Sequence, residues 1–186
     1  MEENPENTPE KIHPLYTGAG DSGTTKDLFL CRIPKSGFLT ELFVKMDRLQ
    51  ADIDKAINII RDLEERELLE FIQKKLWQTY PMIQDPENKL SHTVSPVTEE
   101  DLEKLQTYIK ACEKFSSNSF VRFHNDKSIM LNDCRVSTRD AEISFHRFLE
   151  SSENQNGEVS QVVSKFFNRL SSLFFAMALK MEFSVS

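Results

Sequence analysis

The chain has 186 residues, a mass of 21.6 kDa and a formal net charge of -7. That length suits one domain able to bury most of its unfolded surface. The acidic balance excludes a nucleic-acid binder that works by bulk charge, though it leaves room for a local basic pocket. Cys31, Cys112 and Cys134 are odd in number and scattered, which predicts free thiols in a reducing cytoplasm. No apolar run approaches the ~20 residues of a bilayer span. The opening "MEENPENTPEK" is acidic and polar, unlike a targeting signal. The expectation is therefore a cytoplasmic protein with neither a membrane nor a nucleic acid as partner.

Residues 1–12 read as a disordered acidic tail, and residues 13–186 as a single helical domain. An irregular arm follows the tail and contains "YTGAGDSGTTK", Tyr16 to Lys26. From Phe38 the apolar residues fall at helical spacing through Leu42, Met46, Leu49, Ile53 and Ile60 to Leu63, which predicts one long first helix. The pattern resumes through Leu68, Leu69, Ile72, Leu76 and Tyr80 and should stop at Pro81, because proline lacks the amide a helix needs. The polar stretch "MIQDPENKLSHTVSP" is the longest loop.

Thr98 should cap a third helix, with Glu99, Glu100 and Asp101 complementing its positive end, running to about Phe115. Met130, Cys134, Ala141, Phe145 and Phe148 mark a fourth helix ending near Leu149. Val159, Val163, Phe166, Leu170, Leu173 and Met177 mark a fifth. No strand-like alternation of any length competes. The fold class is all-α, a five-helix bundle preceded by the irregular arm.

The arm holds Gly18, Gly20 and Gly23, three of the five glycines in the chain. Glycines at this spacing let main-chain amides converge on an anion. Thr17, Thr24 and Thr25 add hydroxyls, and Lys26 and Lys35 add charge. The segment matches neither the P-loop nor the dinucleotide fingerprint. On its residues alone it is either a phosphate cradle or a glycine-rich linker. Elsewhere, Arg135, Arg139 and Glu142 share one face of the fourth helix. Ser164, Asn168 and Ser171 line a polar stripe on the fifth, and Asp47 borders the apolar face of the first.

Taken together, these segments resemble the trimeric five-helix ATP:cob(I)alamin adenosyltransferases. That family carries "YTxTGDxGTT", "RVxK", "VDELN", "CRRAER" and "NRLSD" in this order. Here stand "YTGAGDSGTT" (Tyr16 to Thr25), "RIPK" (Arg32 to Lys35), "MDRLQ" (Met46 to Gln50), "TRDAEI" (Thr138 to Ile143) and "NRLSS" (Asn168 to Ser172). "LLEFIQKKLW" is similar to the family's second helix. The likeness runs from Tyr16 to about Lys180.

The resemblance implies transfer of the 5′-deoxyadenosyl group from ATP to cob(I)alamin, with triphosphate released and magnesium riding on it. It also implies a homotrimer with sites at subunit interfaces, and a cobalamin reductase or an adenosylcobalamin-dependent enzyme as a further candidate partner. By position, Thr17, Gly18, Ala19, Gly20, Thr25, Lys26 and Lys35 match nucleotide-binding residues of the arm. Arg135, Arg139, Asp140, Ala141, Glu142 and Ile143 fall in the fourth-helix segment of the site, and Asn168 in the fifth. Arg139, Asp47 and Asn168 match the residues that shape the reacting centre, with Asp47 pairing with that arginine across the interface. No residue is implied as a metal ligand.

Several positions depart from the pattern. Ser22 replaces a lysine, Gly18 a basic residue, Asp140 and Ile143 two arginines, and Ser172 an aspartate. "FVRFHND" stands where the family has "LPGG" before the fourth helix. Each lost charged hydrogen bond to phosphate costs roughly 1.5–3 kcal/mol, which implies weaker ATP binding or slower turnover than the family norm. Two alternatives follow: a weakened ATP- or corrinoid-binding homologue acting as a regulatory module, and a trimer that binds nothing.

Overall fold

A computed structural model describes residues 16–91, 96–117, 119–154 and 161–184. The expected tail, residues 1–12, lies outside the described residues, as does Val159. Five helices follow an arm: α1 (Phe38–Ile59), α2 (Leu63–Gln84), α3 (Glu99–Ala111), α4 (Asp126–Glu150) and α5 (Gln161–Phe183). The all-α bundle stands as expected.

α4 lies against both α1 and α5, while α2 packs on α1 and α3 on α5. Side chains of α2 close the ring: Lys75 Nζ meets Asp101 of α3 at 2.7 Å, and Glu65 pairs with Lys180 of α5. The core is aliphatic on α1 and α2 (Leu42, Leu49, Ile53, Ile72, Leu76). It is aromatic where α4 meets α5, with Phe145 and Phe167 5.5 Å apart. α5 meets the length and composition test for a bilayer span, which the sequence reading did not anticipate. Ten of its residues are nevertheless buried inside the bundle.

The element boundaries differ from the sequence expectation in instructive places. The first helix does not reach Leu63. It ends at Ile59, and Asp62 caps α2 by accepting the Glu65 amide at 3.2 Å. Pro81 does not end α2, which continues to Gln84. The turn beyond it is held by burial of Ile83 and by the Gln84 side chain, which accepts the Leu28 amide of the arm at 2.8 Å. α3 is capped by Thr98 as expected, in a reciprocal box with Asp101. It stops at Ala111, and a 3-10 turn covers Glu113–Phe115.

The arm is not wholly irregular. Strands β1 (Thr24–Lys26) and β2 (Arg32–Pro34) pair antiparallel. The pairing escaped the alternation test because each strand is only three residues long. The loop between them closes through Asp27, whose Oδ1 accepts the Cys31 amide at 2.8 Å.

Candidate functional site

Gly18 and Gly23 adopt φ of +66° and +75°, a region closed to most residues with a Cβ. Between them the chain turns tightly, the Asp21 amide donating to the Gly18 carbonyl and the Gly23 amide to the Gly20 carbonyl. Gly20 lets Lys35 lie close: a Cβ there would stand 2.8 Å from Lys35 Nζ and push that side-chain tip away. The ammonium of Lys35 is thereby laid against the loop. Thr17 Oγ1 accepts the Ala19 amide at 3.3 Å, and Thr25 sits half-buried opposite Ile33.

Arg32 was passed over among the candidate ligands, yet it braces the loop. Its Nη1 donates to the Ala19 carbonyl at 2.8 Å and to Thr24 Oγ1 at 2.6 Å. It also stands directly across the ribbon from Lys26. Like charges opposite one another in a sheet are unfavourable. An oligo-anion laid along this ribbon would turn that cost into attraction, which favours the phosphate cradle over the linker.

The arm docks on one end of the bundle. It is held there by the Leu28–Gln84 bond; close by, Glu153 beyond α4 accepts the Leu39 amide of α1 at 3.0 Å, placing a carboxylate at the positive end of that helix.

A second group of candidates lies along the α4–α5 seam. A cleft of about 740 Å³ is walled by Phe120, Phe123 and Phe175 and floored by Arg135, Arg139, Ser171 and Ser172. Arg135 Nε donates to Asn132 at 3.0 Å, and its guanidinium lies 5.5 Å from the Phe175 ring centre. Burial, and then the neighbouring Arg139 charge, lower its pKa from the ordinary arginine value. The rim, residues 119–125, is held by Glu182 of α5. Its carboxylate accepts the His124 amide at 3.1 Å, the Asn125 side chain at 3.1 Å and the Ser128 hydroxyl. The Ser128 hydroxyl and the amide bonds keep the Glu182 pKa low.

A smaller groove of about 340 Å³ runs along the outer face of α4, between Arg139, Glu142, Ile143, His146, Arg147 and Glu150. Arg139 lines both cavities and makes no ion pair among the described residues. Ala141 is buried in the core behind them. Asp140 points elsewhere, to Lys45 of α1 at 2.9 Å. Asn168 is exposed on α5, one turn from Ser171 and Ser172, whose hydroxyls donate to its carbonyl.

Asp47 stands apart from all of these. It is exposed on α1 and accepts the Tyr80 hydroxyl at 2.6 Å. Within one chain it does not meet Arg139. Nor does any described hydrogen bond or ion pair join the arm's Thr17–Lys26 loop or Lys35 to Arg135, Arg139 or Asn168. The single chain thus presents an anion-ready arm and an aromatic, basic cleft as separate surfaces.

The sequence matches the family model described as cobalamin adenosyltransferase over residues 15–181. No protein of the curated set matches it significantly. Among solved structures, it is similar to variants of the PduO-type ATP:corrinoid adenosyltransferase from Lactobacillus reuteri. One, complexed with cobalamin and ATP, superposes with a TM-score of 0.77 at 21% identity, covering 91% of each chain. A second such complex gives 0.78 at 22% identity, over 91% of this chain and 94% of the other. A third variant, complexed with ATP, gives the same values. The fold is shared with these proteins, and the family match over nearly the whole sequence places this chain in the cobalamin adenosyltransferase family.

Proposed function

We propose that the protein transfers the 5′-deoxyadenosyl group of ATP to cob(I)alamin, forming adenosylcobalamin and releasing triphosphate. The observation that carries the reading is Arg139, a guanidinium with no ion pair among the described residues, lining both the aromatic cleft and the outer groove of α4. The cleft has the size and aromatic walls to take a face of the corrinoid, and the groove suits the nucleotide. In the reaction cobalt attacks C5′, the C5′–O bond breaks, and its electron pair leaves with the triphosphate. Cob(I)alamin is itself a powerful nucleophile, so no activated serine or cysteine is required. The chain's own task is to align the two substrates and to stabilise negative charge on the leaving group.

Arg139 and Arg135 serve the second task from the bundle; Lys26, Arg32 and Lys35 serve it from the arm. Thr17, Gly18, Ala19, Gly20 and Thr25 wrap the phosphates, with Glu142 and Asn168 along the adjoining seam. Because arm and groove are separate in one chain, the complete site is formed between copies, in a homotrimer, where Asp47 meets the Arg139 of a neighbour. Among the described residues no group of three or more His, Cys, Asp or Glu is placed to hold a metal. Magnesium would ride on the triphosphate oxygens. Three free thiols, one of them exposed, suit a reducing cytoplasm.

A second reading, a binding module with weakened chemistry, draws on Asp140 and Ser22. At these positions the chain offers a carboxylate already paired with Lys45 and a neutral hydroxyl bonded to Thr24. An anaerobic assay following conversion of cob(I)alamin to the light-sensitive alkylcobalamin separates the two. ATP-dependent formation supports the transferase, whereas saturable binding of ATP or corrinoid without conversion supports the module.

A further inference from the structure

Asp47 is a carboxylate without a cation among the described residues. Its neighbours in sequence are committed elsewhere, Lys45 to Asp140 and Arg48 to Asp52, each at 2.9 Å. Its single described partner is Tyr80, whose hydroxyl donates to Oδ1 at 2.6 Å. Oδ2 accepts from nothing among the described residues.

Tyr80 is itself fixed. Its ring lies 4.9 Å from that of Phe43 on α1 and 5.2 Å from that of Trp77 on α2. Burial, and then the adjacent Asp47 charge, hold its phenol well above the ordinary range, so it remains a donor. An isolated surface aspartate samples several rotamers and loses that freedom on pairing. Here the loss is already met on folding, by an aromatic clamp between two helices. The surrounding surface is apolar, with Val44 60% and Trp77 59% exposed. A charge held rigidly on such a surface is matched by a cation arriving with a second apolar surface; in the shared site proposed above that cation is Arg139, which has no ion pair among the described residues.

We propose that Tyr80 is a positioning residue of the shared site: it fixes Asp47 through Oδ1 and presents Oδ2 to the Arg139 of a second copy of this chain. The assignment of Tyr80 rests on the proposed homotrimer with its Asp47–Arg139 pair, which assembly alone tests, and on the adenosyltransferase reading for its consequence in catalysis.

The test is a double-mutant cycle of Tyr80→Phe and Asp47→Asn, read by sedimentation equilibrium and by anaerobic steady-state kinetics. Tyr80→Phe keeps the ring and its aromatic contacts and loses one hydrogen bond made within the chain, so thermal unfolding should fall only slightly. The expected result is assembly weakened severalfold, the scale of the side-chain freedom that Asp47 regains, with kcat falling more than KM for ATP rises. In the Asp47→Asn background the same change should alter neither quantity. Equal effects in both backgrounds, or none in the parent, would overturn the assignment. A parent that assembles and shows the coupling, yet forms no alkylcobalamin, would overturn the transferase reading and leave Tyr80 in place. A parent active as a monomer would do the reverse.

Discussion

Asp47 and Asp52 stand on the same helix, little more than a turn apart, and the chain treats them in opposite ways. Asp52 is buried between α1 and α4, where Arg48 and Lys55 reach it at 2.9 Å and the Ser137 hydroxyl at 2.5 Å. Glu65 is handled alike, enclosed by Lys180 and by the Tyr108 hydroxyl at 2.5 Å. Asp47 and Arg139 have no such ion pairs among the described residues. Charges satisfied within the chain hold the bundle together, and charges oriented but left unpaired are kept for something outside it. The two regions should therefore respond differently to mutation, the first in stability and the second in binding.

The largest effect is expected at Glu65. Glu65→Ala strands Lys180 and the Tyr108 hydroxyl in a part-buried site and should cost about 3 kcal/mol of unfolding free energy, measured by denaturant titration. Nucleotide affinity of the remaining folded protein should be unchanged. Arg139→Ala should do the opposite. Any fall in its unfolding midpoint should come only from weaker assembly, while ATP affinity and turnover fall together by about 10–100-fold, roughly 1.5–3 kcal/mol, in calorimetric titration and in the cobalamin assay.

Asp52→Asn sharpens the same contrast through pH. Desolvation pushes the Asp52 pKa up, but hydrogen bonds from Arg48, Ser137 and Lys55 outweigh it and leave the folded value below 3.8. A carboxyl with a depressed folded pKa contributes stability above its unfolded pKa and loses it as pH falls through the folded value. The deficit of Asp52→Asn, about 1–2 kcal/mol near neutrality, should shrink as pH drops below that range. A deficit independent of pH would mean the charge plays no part. The smallest effect belongs to Gly20→Ala. The added Cβ displaces only the tip of Lys35, so stability should hold while ATP affinity falls severalfold, about 1 kcal/mol.

Much of this division was legible in the sequence, and the missing parts share a cause. The helical periodicity, the Thr98 cap and the glycine loop are local patterns, and each was read at its position. The break between α1 and α2 is expected a few residues late, at Leu63, because apolar residues at helical spacing run on to it, although the Asp62 cap with Glu65 three residues on marks it locally. The helix past Pro81 was not readable, because the buried Ile83 and the arm's Leu28 hold it from a distance. The arm motif named its glycines and lysines but not Arg32, whose role depends on a β-ribbon too short for an alternation signal. The pairings of Asp140 with Lys45 and of Asp47 with Tyr80 join residues 95 and 33 positions apart. No spacing rule reaches that far, so which of the motif's charges lack an ion pair among the described residues is seen only in the structure.

The central claim is that the reacting site is assembled from the arm of one copy and the α4 groove of another. Co-expressing a chain carrying Lys35→Ala with one carrying Arg139→Ala tests it directly, since each chain alone lacks half of every site. Random mixing within a cyclic trimer leaves about a quarter of the shared sites with both halves intact. The account predicts recovery of adenosylcobalamin formation to about that fraction of the parent rate. Mixed assemblies no more active than either variant alone would contradict it and place arm and groove of the same chain in one site.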